Sequence, residues 1–543
     1  MSGLLLLAGL GVLAPVHADD LEMDIEGYYR TRGYLYPNLF ADQSAPGQFI
    51  SHRLRVQPTF NYQDKAKFAF MADVIDDAVW GDNEDRASTA VFANDPSMTG
   101  LNGTTTDVFR IKRAWMSVKI PVGEIRVGRQ PSHWGLGLLA NGGEGFDDTF
   151  GENHDGNNFD RLLFATRPIA IGQAIAGRED TNIPFFVGVA MDRLVEDPLT
   201  QYYGYECVAG LNEGVDDDFD SRCDTDGDGV TDIEHDYTEP RVDSERGDDW
   251  WVDPNDDVYE TVFLAIYKGE DLPALNHGDL TVGAYAINRQ QAETNSNVWI
   301  LDAYTRFEAW GVYAEGEILN IRGQSAAIAL PGTVNYDPDA HPLQKDVDIW
   351  GYVGRLGYRY RGMASVTLEH GYASGDDNVS DELFTGRPLH PDYNVGLLLY
   401  DEILSRVTQN TWTDSADGLW SNGGVYNSRY LFPTTEVQFF DNQWSVIGGF
   451  LVAWPDRPDG SRILCAEGDT VNGEALDCAL YEATADTLGW EIDGALKGRF
   501  HEHVLFSLEA GYAQVTDRIP LENVGLNSDG TFFTLQSRLA YEF

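Results

Sequence analysis

Residues 531–543, TFFTLQSRLAYEF, end the chain and decide its fold. Side chains of an extended strand alternate between two faces, so this stretch has one apolar face and one largely polar face. The residues of the apolar face are Phe533, Leu535, Leu539, Tyr541 and Phe543. Those of the other face are Thr534, Gln536, Arg538 and Ala540. The pattern fits the last strand of a barrel with an apolar exterior, or an edge strand of a soluble sheet.

The rest of the chain favours the barrel, because segments of this kind recur along it. Most are ten to fourteen residues long, which is longer than an ordinary strand and sufficient to cross a bilayer at a tilt. Tight connections such as Arg361-Gly362 alternate with long ones such as 194–257 and 375–427. The sequence therefore predicts an all-β fold, a transmembrane antiparallel β-barrel of about 18 strands (16–20), with short periplasmic turns and long extracellular loops. The terminal strand also resembles the closing strand of Gram-negative outer-membrane barrels, which implies recognition by the barrel-insertion machinery.

Composition excludes several other classes of protein. The 543 residues include 88 acidic and 37 basic residues, and the net charge of −51 argues against nucleic acid as a partner. Mean hydropathy is −0.32, and no run of eighteen apolar residues follows the amino-terminus, which argues against a helical membrane protein. HExxH, GxSxG and phosphate-binding motifs are absent from the sequence, so we expect no enzymatic activity.

The amino-terminal residues 1–18 form an apolar run ending in small residues, which predicts a secretory signal peptide followed by an outer-membrane barrel over 19–543. Export favours disulfides, and the four cysteines form two pairs that are each close in sequence. We therefore predict the disulfides Cys207–Cys223 and Cys465–Cys478, each within one loop.

The predicted extracellular loop 194–257 carries much of the negative charge, with 22 acidic and three basic residues. Within it, carboxylates and a glycine have the spacing of a calcium-binding loop. The predicted calcium ligands are Asp224, Asp226, Asp228, the Val230 carbonyl and Asp232. His235 occupies the position where such loops place a bidentate acid, and a merely solvated acidic loop is the alternative. We expect any calcium here to be structural.

Charged residues on the polar faces of the strands are candidates for the pore wall. The predicted pore-lining residues are Arg30, Arg32, Arg53, Arg55, Arg126, Arg161, Arg306, Glu315, Glu317, Arg355, Arg359, Glu369, Arg499 and Arg538. Two hypotheses remain open for this set. The charges neutralise one another and stiffen the wall, or they form an arginine ladder that selects solutes by charge.

Two blocks of sequence resemble known barrels. Residues 128–143, GRQPSHWGLGLLANGG, resemble a block in a large uncharacterised family of Gram-negative outer-membrane β-barrel proteins. Residues 369–377, EHGYASGDD, and 391–399, PDYNVGLLL, resemble blocks in that family and in alginate-export-type porins. The resemblance implies a channel of about eighteen strands and names no substrate. We expect both segments to fold back into the mouth of the pore, with packing at the rim as the alternative.

The sequence thus predicts a porin or channel of the bacterial outer membrane, for diffusion of small hydrophilic solutes or of a particular anionic one. The alternative is a surface-binding or adhesive barrel with a calcium-ordered outer loop and a closed lumen. Expected partners are outer-membrane lipid and lipopolysaccharide, the insertion machinery and a small solute in the pore.

Overall fold

The computed structural model describes residues 21–41, 47–80, 110–154, 156–178, 183–194, 258–292, 295–326, 344–376, 382–408, 421–457, 470–471, 474–475, 485–521 and 525–543. The predicted signal peptide, the predicted calcium loop and all four cysteines lie outside these residues. Within them, eighteen long strands form one closed antiparallel sheet. The predicted fold class and strand number are therefore confirmed.

The barrel strands lie close to the predicted segments. Their bounds are Leu21–Tyr36 (β1), Gly47–Tyr62 (β2), Ala66–Val79 (β3), Arg110–Ile120 (β4), Gly123–Ser132 (β5), Asn157–Thr166 (β6), Phe185–Leu194 (β7), Tyr259–Leu272 (β8), Gly278–Gln291 (β9), Ser296–Ala309 (β10), Val312–Ser325 (β11), Lys345–Tyr360 (β12), Ala364–Ala373 (β13), Ser428–Phe439 (β15), Trp444–Pro455 (β16), Gly489–Phe500 (β19), Val504–Val515 (β20) and Thr531–Glu542 (β21). Three two-residue strands lie in loops and are Leu383–Phe384 (β14), Thr470–Val471 (β17) and Glu474–Ala475 (β18). The short helical elements are the helix Pro168–Ile175 (α1), the 3-10 turn Pro273–Leu275 and the π-helical turn Leu399–Leu404.

The barrel closes between its first and last strands. Strand β1 pairs with β2 on one side and with β21 on the other, in a register that places Leu35 opposite Leu535. Every other barrel strand pairs with its two neighbours in sequence, so the sheet has no free edge. The side chains of the terminal strand point as the alternation predicts. Leu539 is on the outside and 53% exposed, and Arg538 is on the inside and 1% exposed.

The outer face of the barrel is apolar. Exposed large side chains include Leu162, Met191, Leu356 and Tyr541, which lie on four different strands. Such a continuous apolar band is covered by lipid rather than by water, so the barrel spans a bilayer as bacterial outer-membrane barrels do. None of the helices in the described residues is long and apolar enough to cross a membrane.

The turns at the periplasmic end are mostly tight. In Trp310-Gly311, both residues have positive φ, at 56° and 78°, which is the conformation of a two-residue hairpin turn that follows the twist of the strands. Two connections depart from the predicted alternation of long and short. The periplasmic connection between β6 and β7 contains α1, which begins at Pro168, a favoured first residue of a helix. The extracellular connection between β9 and β10 is only residues 292–295.

The inner face is less uniformly polar than the alternation predicts. In the extracellular half of β10 to β12, inward residues such as Ile300, Leu319 and Ile349 are apolar and buried. They pack in one core with residues of two inserted loops, including Leu138 and Leu397. Water does not reach this part of the wall, because the loops cover it, and that explains why the wall can be apolar there.

Candidate functional site

The first loop, residues 133–156 between β5 and β6, folds into the barrel. Near its start, the Trp134 indole Nε1–H donates a hydrogen bond of 2.8 Å to Asp302 on β10. The Trp134 ring also packs edge-on against Tyr285 of β9, with centroids 4.8 Å apart. Next to it, the Leu136 backbone N–H donates to Glu317 on β11. The start of the loop is thus fixed to one side of the wall.

The end of the first loop reaches an arginine cluster, which we define as Arg30, Arg32, Arg53 and Arg538 on the adjacent strands β21, β1 and β2. Glu152 of the loop lies among them. Its carboxylate is 2.6 Å from the Arg30 guanidinium and 3.3 Å from those of Arg32 and Arg53. Register explains the crowding, because Arg30 lies opposite Arg53 and Arg32 lies opposite Arg538.

The middle of the first loop is bound through its main chain as well. Arg538 donates to the carbonyl oxygens of Phe146, at 2.5 Å, and of Gly151, at 2.7 Å. The Phe150 N–H donates to Glu509 of β20 at 2.9 Å. Contacts with β10 and β11 at one end, and with β20, β21, β1 and β2 at the other, mean that the first loop crosses the barrel interior.

The second loop is the connection 374–427 between β13 and β15, described over 374–376, 382–408 and 421–427. Its main anchor is Glu491 of β19, which accepts hydrogen bonds from three successive backbone N–H groups. The donors are Leu397 at 2.6 Å, Leu398 at 2.9 Å and Leu399 at 2.7 Å. Gly396, with φ of 74°, turns the chain at this point, and a Cβ there would lie 3.0 Å from the same carboxylate.

Tyrosines tie the second loop to a charged pair of the wall. Arg355 of β12 and Glu369 of β13 form an ion pair of 2.6 Å. The Tyr393 hydroxyl of the loop donates to Glu369 at 3.1 Å and accepts from Arg355 at 2.8 Å. Tyr430 of β15 donates to the same Glu369 at 2.6 Å. These two predicted pore residues therefore hold a loop.

The two loops also contact each other. The His390 N–H donates to the Leu138 carbonyl at 2.7 Å. The Gly156 N–H donates to the Asp392 carboxylate, also at 2.7 Å. The loops therefore form one connected layer across the extracellular half of the barrel. This placement agrees with the prediction that both blocks fold into the mouth of the pore.

Below this layer, inward charges at the periplasmic end remain open to water. Arg359 and Glu308 form an ion pair whose side chains are 47% and 31% exposed. Arg306 also contacts Glu308, at 3.4 Å, and is 49% exposed. On β5, Arg126 pairs with Glu124 at 2.6 Å and is 42% exposed. We call this region the periplasmic vestibule.

The remaining predicted pore residues also occupy inward positions, and most have partners. Arg55 forms an ion pair with Asp73 at 2.6 Å, and Arg161 pairs with Asp192 at 2.6 Å. Glu315 accepts from Tyr304, and Arg499 is 3.0 Å from Asp147 of the first loop. The structure thus divides the predicted set between a buried upper group and a water-exposed lower group.

Sequence reasoning did not single out Glu152 or Trp134 as anchors, because loop residues follow no periodic pattern.

The pKa values of two loop carboxyl groups are shifted in opposite directions. Burial alone would raise the pKa of Glu152, but Arg30 and Arg32 outweigh it and hold that pKa well below its ordinary value. Burial, reinforced by Glu402, raises the pKa of Asp401 to about 7. Within the described ranges, no group of three or more His, Cys, Asp or Glu residues is placed to hold a metal ion.

Comparison of the sequence with protein-family models and with curated proteins gives no match. The solved structures that the chain resembles include three from Pseudomonas aeruginosa. OccK11 (OpdR) has 9% identity and a TM-score of 0.44, with 97% of this chain and 96% of that chain covered. OpdK with vanillate has 9% identity and a TM-score of 0.45, with coverage of 96% and 98%. OccK2 (OpdF) in complex with glucuronate has 9% identity and a TM-score of 0.44, also with coverage of 96% and 98%. The specific resemblance to alginate-export-type porins stays a prediction, and we argue function from this barrel itself.

Proposed function

We propose that the protein is a channel of the outer membrane that passes small hydrophilic solutes and favours anions. The observation that carries the proposal is the periplasmic vestibule. Arg306 and Arg359 point into the barrel, yet almost half of each side chain is exposed. Inward guanidinium groups with this exposure contact water at the periplasmic end of the barrel, so the loops do not seal the barrel at that end.

The preference for anions rests on the wall above the vestibule. Four arginines of three adjacent strands converge there, and arginine binds carboxylates and phosphates through paired donors while staying charged. The first loop crosses the lumen at this level and contacts these arginines through Glu152 and its main chain. The crossing loops also favour a second candidate, a surface-binding barrel whose lumen is closed.

Planar-bilayer recording separates the two candidates. We expect discrete conductance steps and a reversal potential, in a potassium chloride gradient, that reports preference for chloride. The double variant R306Q/R359Q should reduce that preference without changing loop anchors. Absence of conductance from correctly folded, membrane-inserted protein would favour the surface-binding barrel.

We also propose several features that the described residues do not include or that involve partners. They are a cleaved signal peptide, both disulfides, a structural calcium site in 194–257, contacts with lipopolysaccharide and recognition by the insertion machinery. A calcium ion in that loop would stabilise the loop structure and take no part in transport. Calcium chelation is therefore expected to leave conductance largely unchanged.

A further inference from the structure

The arginine cluster concentrates positive charge in a buried part of the wall. Cationic side chains directly opposite one another in a sheet repel, and here Arg30 faces Arg53 while Arg32 faces Arg538. All four are buried, with exposures between 1% and 6%. Two carboxylates of the wall balance part of this charge: Asp76 of β3 lies 2.9 Å from Arg53, and Glu509 of β20 lies 3.6 Å from Arg538. Burying four guanidinium groups this close together costs free energy, and a further anion among them reduces that cost.

Glu152 is the carboxylate that contacts three of the four arginines, and it comes from a loop rather than from the wall. One of its carboxylate oxygens lies 2.6 Å from Arg30 and 3.3 Å from Arg53, and the other lies 3.3 Å from Arg32. The same group of donors therefore grips both oxygens, as a receptor for a free carboxylate would. The side chain of Glu152 is 1% exposed, so it fills the site completely.

We infer that the arginine cluster is a binding site for small carboxylates, occupied at rest by Glu152 of the first loop, and that a carboxylate-bearing solute takes the place of Glu152. The inference rests on the proposed channel function and deepens it. The cluster faces the barrel interior beneath the first loop, and its resident ligand belongs to that loop, which crosses the interior. Binding of a carboxylate solute is thereby coupled to release of the obstructing segment.

The covalent attachment of Glu152 to the chain determines the affinity that we expect of the arginine cluster for a free carboxylate. A ligand held on the same chain competes at a high effective concentration, and this can change apparent affinity by about 10²–10⁴ fold. Wild-type protein should therefore bind a simple carboxylate weakly, while a variant without the Glu152 carboxylate should bind it tightly. Acetate is the suitable probe, because Glu152→Ala removes the Cγ carbon and the carboxylate, and acetate consists of one carbon attached to a carboxylate.

The experiment measures the unfolding temperature of the full-length protein in detergent while acetate is titrated at constant ionic strength. Acetamide, which is neutral and similar in size, is the control probe. We expect E152A to unfold at a lower temperature than wild type. Acetate should restore its stability saturably, at a concentration at least about a hundredfold below any effect on wild type. Acetamide should have no effect. The matched control variant is E144A, because Glu144 also joins the first loop to an arginine, Arg113 at 2.6 Å, but is 65% exposed.

Folded E152A that shows no saturable, acetate-specific stabilisation would overturn the inference, as would an equal response from E144A. If E152A does not fold, E152Q keeps the volume and removes the charge. Chloride should then stabilise E152Q saturably and leave wild type unchanged, and a lack of that difference also overturns the inference. The titration does not depend on conduction. Acetate binding by a barrel that never conducts would refute the channel proposal alone, and a conducting barrel whose E152A variant ignores acetate would refute the site alone.

Discussion

Replacing Glu491 with alanine should release the second loop from the wall. This carboxylate accepts three backbone N–H groups, from Leu397, Leu398 and Leu399, at 2.6 to 2.9 Å, and is 0% exposed. The variant leaves three buried donors without an acceptor, and each such donor costs about 1–3 kcal/mol. Because neighbouring costs do not add fully, we take roughly 4 kcal/mol for the three together.

Amide hydrogen exchange of the detergent-solubilised protein measures this cost directly. A loss of roughly 4 kcal/mol corresponds to exchange about 10³ times faster at the three leucine amides, at ~1.4 kcal/mol per factor of ten. Glu491→Gln keeps one carbonyl acceptor and should give an intermediate value. The matched control is Glu436→Ala, because Glu436 also faces inward but accepts only a 3.1 Å side-chain bond from Gln438 among the contacts seen here.

The reasoning is wrong if the three amides in the Glu491→Ala variant exchange within tenfold of the wild-type rate while the barrel stays folded. It is equally wrong if Glu436→Ala accelerates them as much, since the effect would then come from general loosening of the barrel. Conductance recorded in parallel should rise in Glu491→Ala, because a detached loop obstructs less of the lumen.

Three further predictions test other parts of the structure. Leu356→Arg on the lipid-facing surface should lower the free energy of unfolding in bilayers by roughly 2–4 kcal/mol, measured by urea titration against Leu356→Ala. Trp134→Phe removes the indole donor to Asp302 and should weaken docking of the first loop by roughly 1–3 kcal/mol in hydrogen exchange, whereas Trp310→Phe, at an exposed periplasmic turn, should leave it unchanged. Asp401 has a pKa raised to about 7, so its contribution to docking of the second loop is present at low pH and is lost as pH rises through that value. Exchange of this loop, corrected for intrinsic rates, should accelerate between about pH 4 and 7 and level off above that, and Asp401→Asn should flatten the profile.

The strands were predictable because one physical rule sets them all. A residue such as Leu539 meets lipid and its neighbour Arg538 does not, so period-two alternation is imposed on every strand. Their ends agree with the structure to within a few residues, since turn residues such as Arg361-Gly362 mark them.

The loops were less predictable, because their contacts join residues far apart in sequence. Glu152 contacts Arg30, and Glu491 binds Leu397 to Leu399, over separations that no local pattern encodes. Residues 128–143 were expected to fold into the mouth of the pore, but the sequence did not identify the carboxylates that hold the loop there. Inward apolar residues such as Ile300 were a usable signal, since an apolar patch on the inside of a barrel needs a covering segment.

The two loops are held by opposite chemistry, and this difference bears on which solutes could move them. In the first loop, wall cations bind the loop carboxylate Glu152, so a carboxylate solute competes with the loop. In the second, the wall carboxylate Glu491 binds backbone N–H groups, so the same solute is repelled there. The loops nevertheless share the bonds from His390 to Leu138 and from Gly156 to Asp392. Displacement of the first loop by a carboxylate therefore removes support from the second without any contact between the solute and Glu491. A cationic solute has no comparable binding site in the arginine cluster, so the proposed preference for anions would follow from which loop is displaced first.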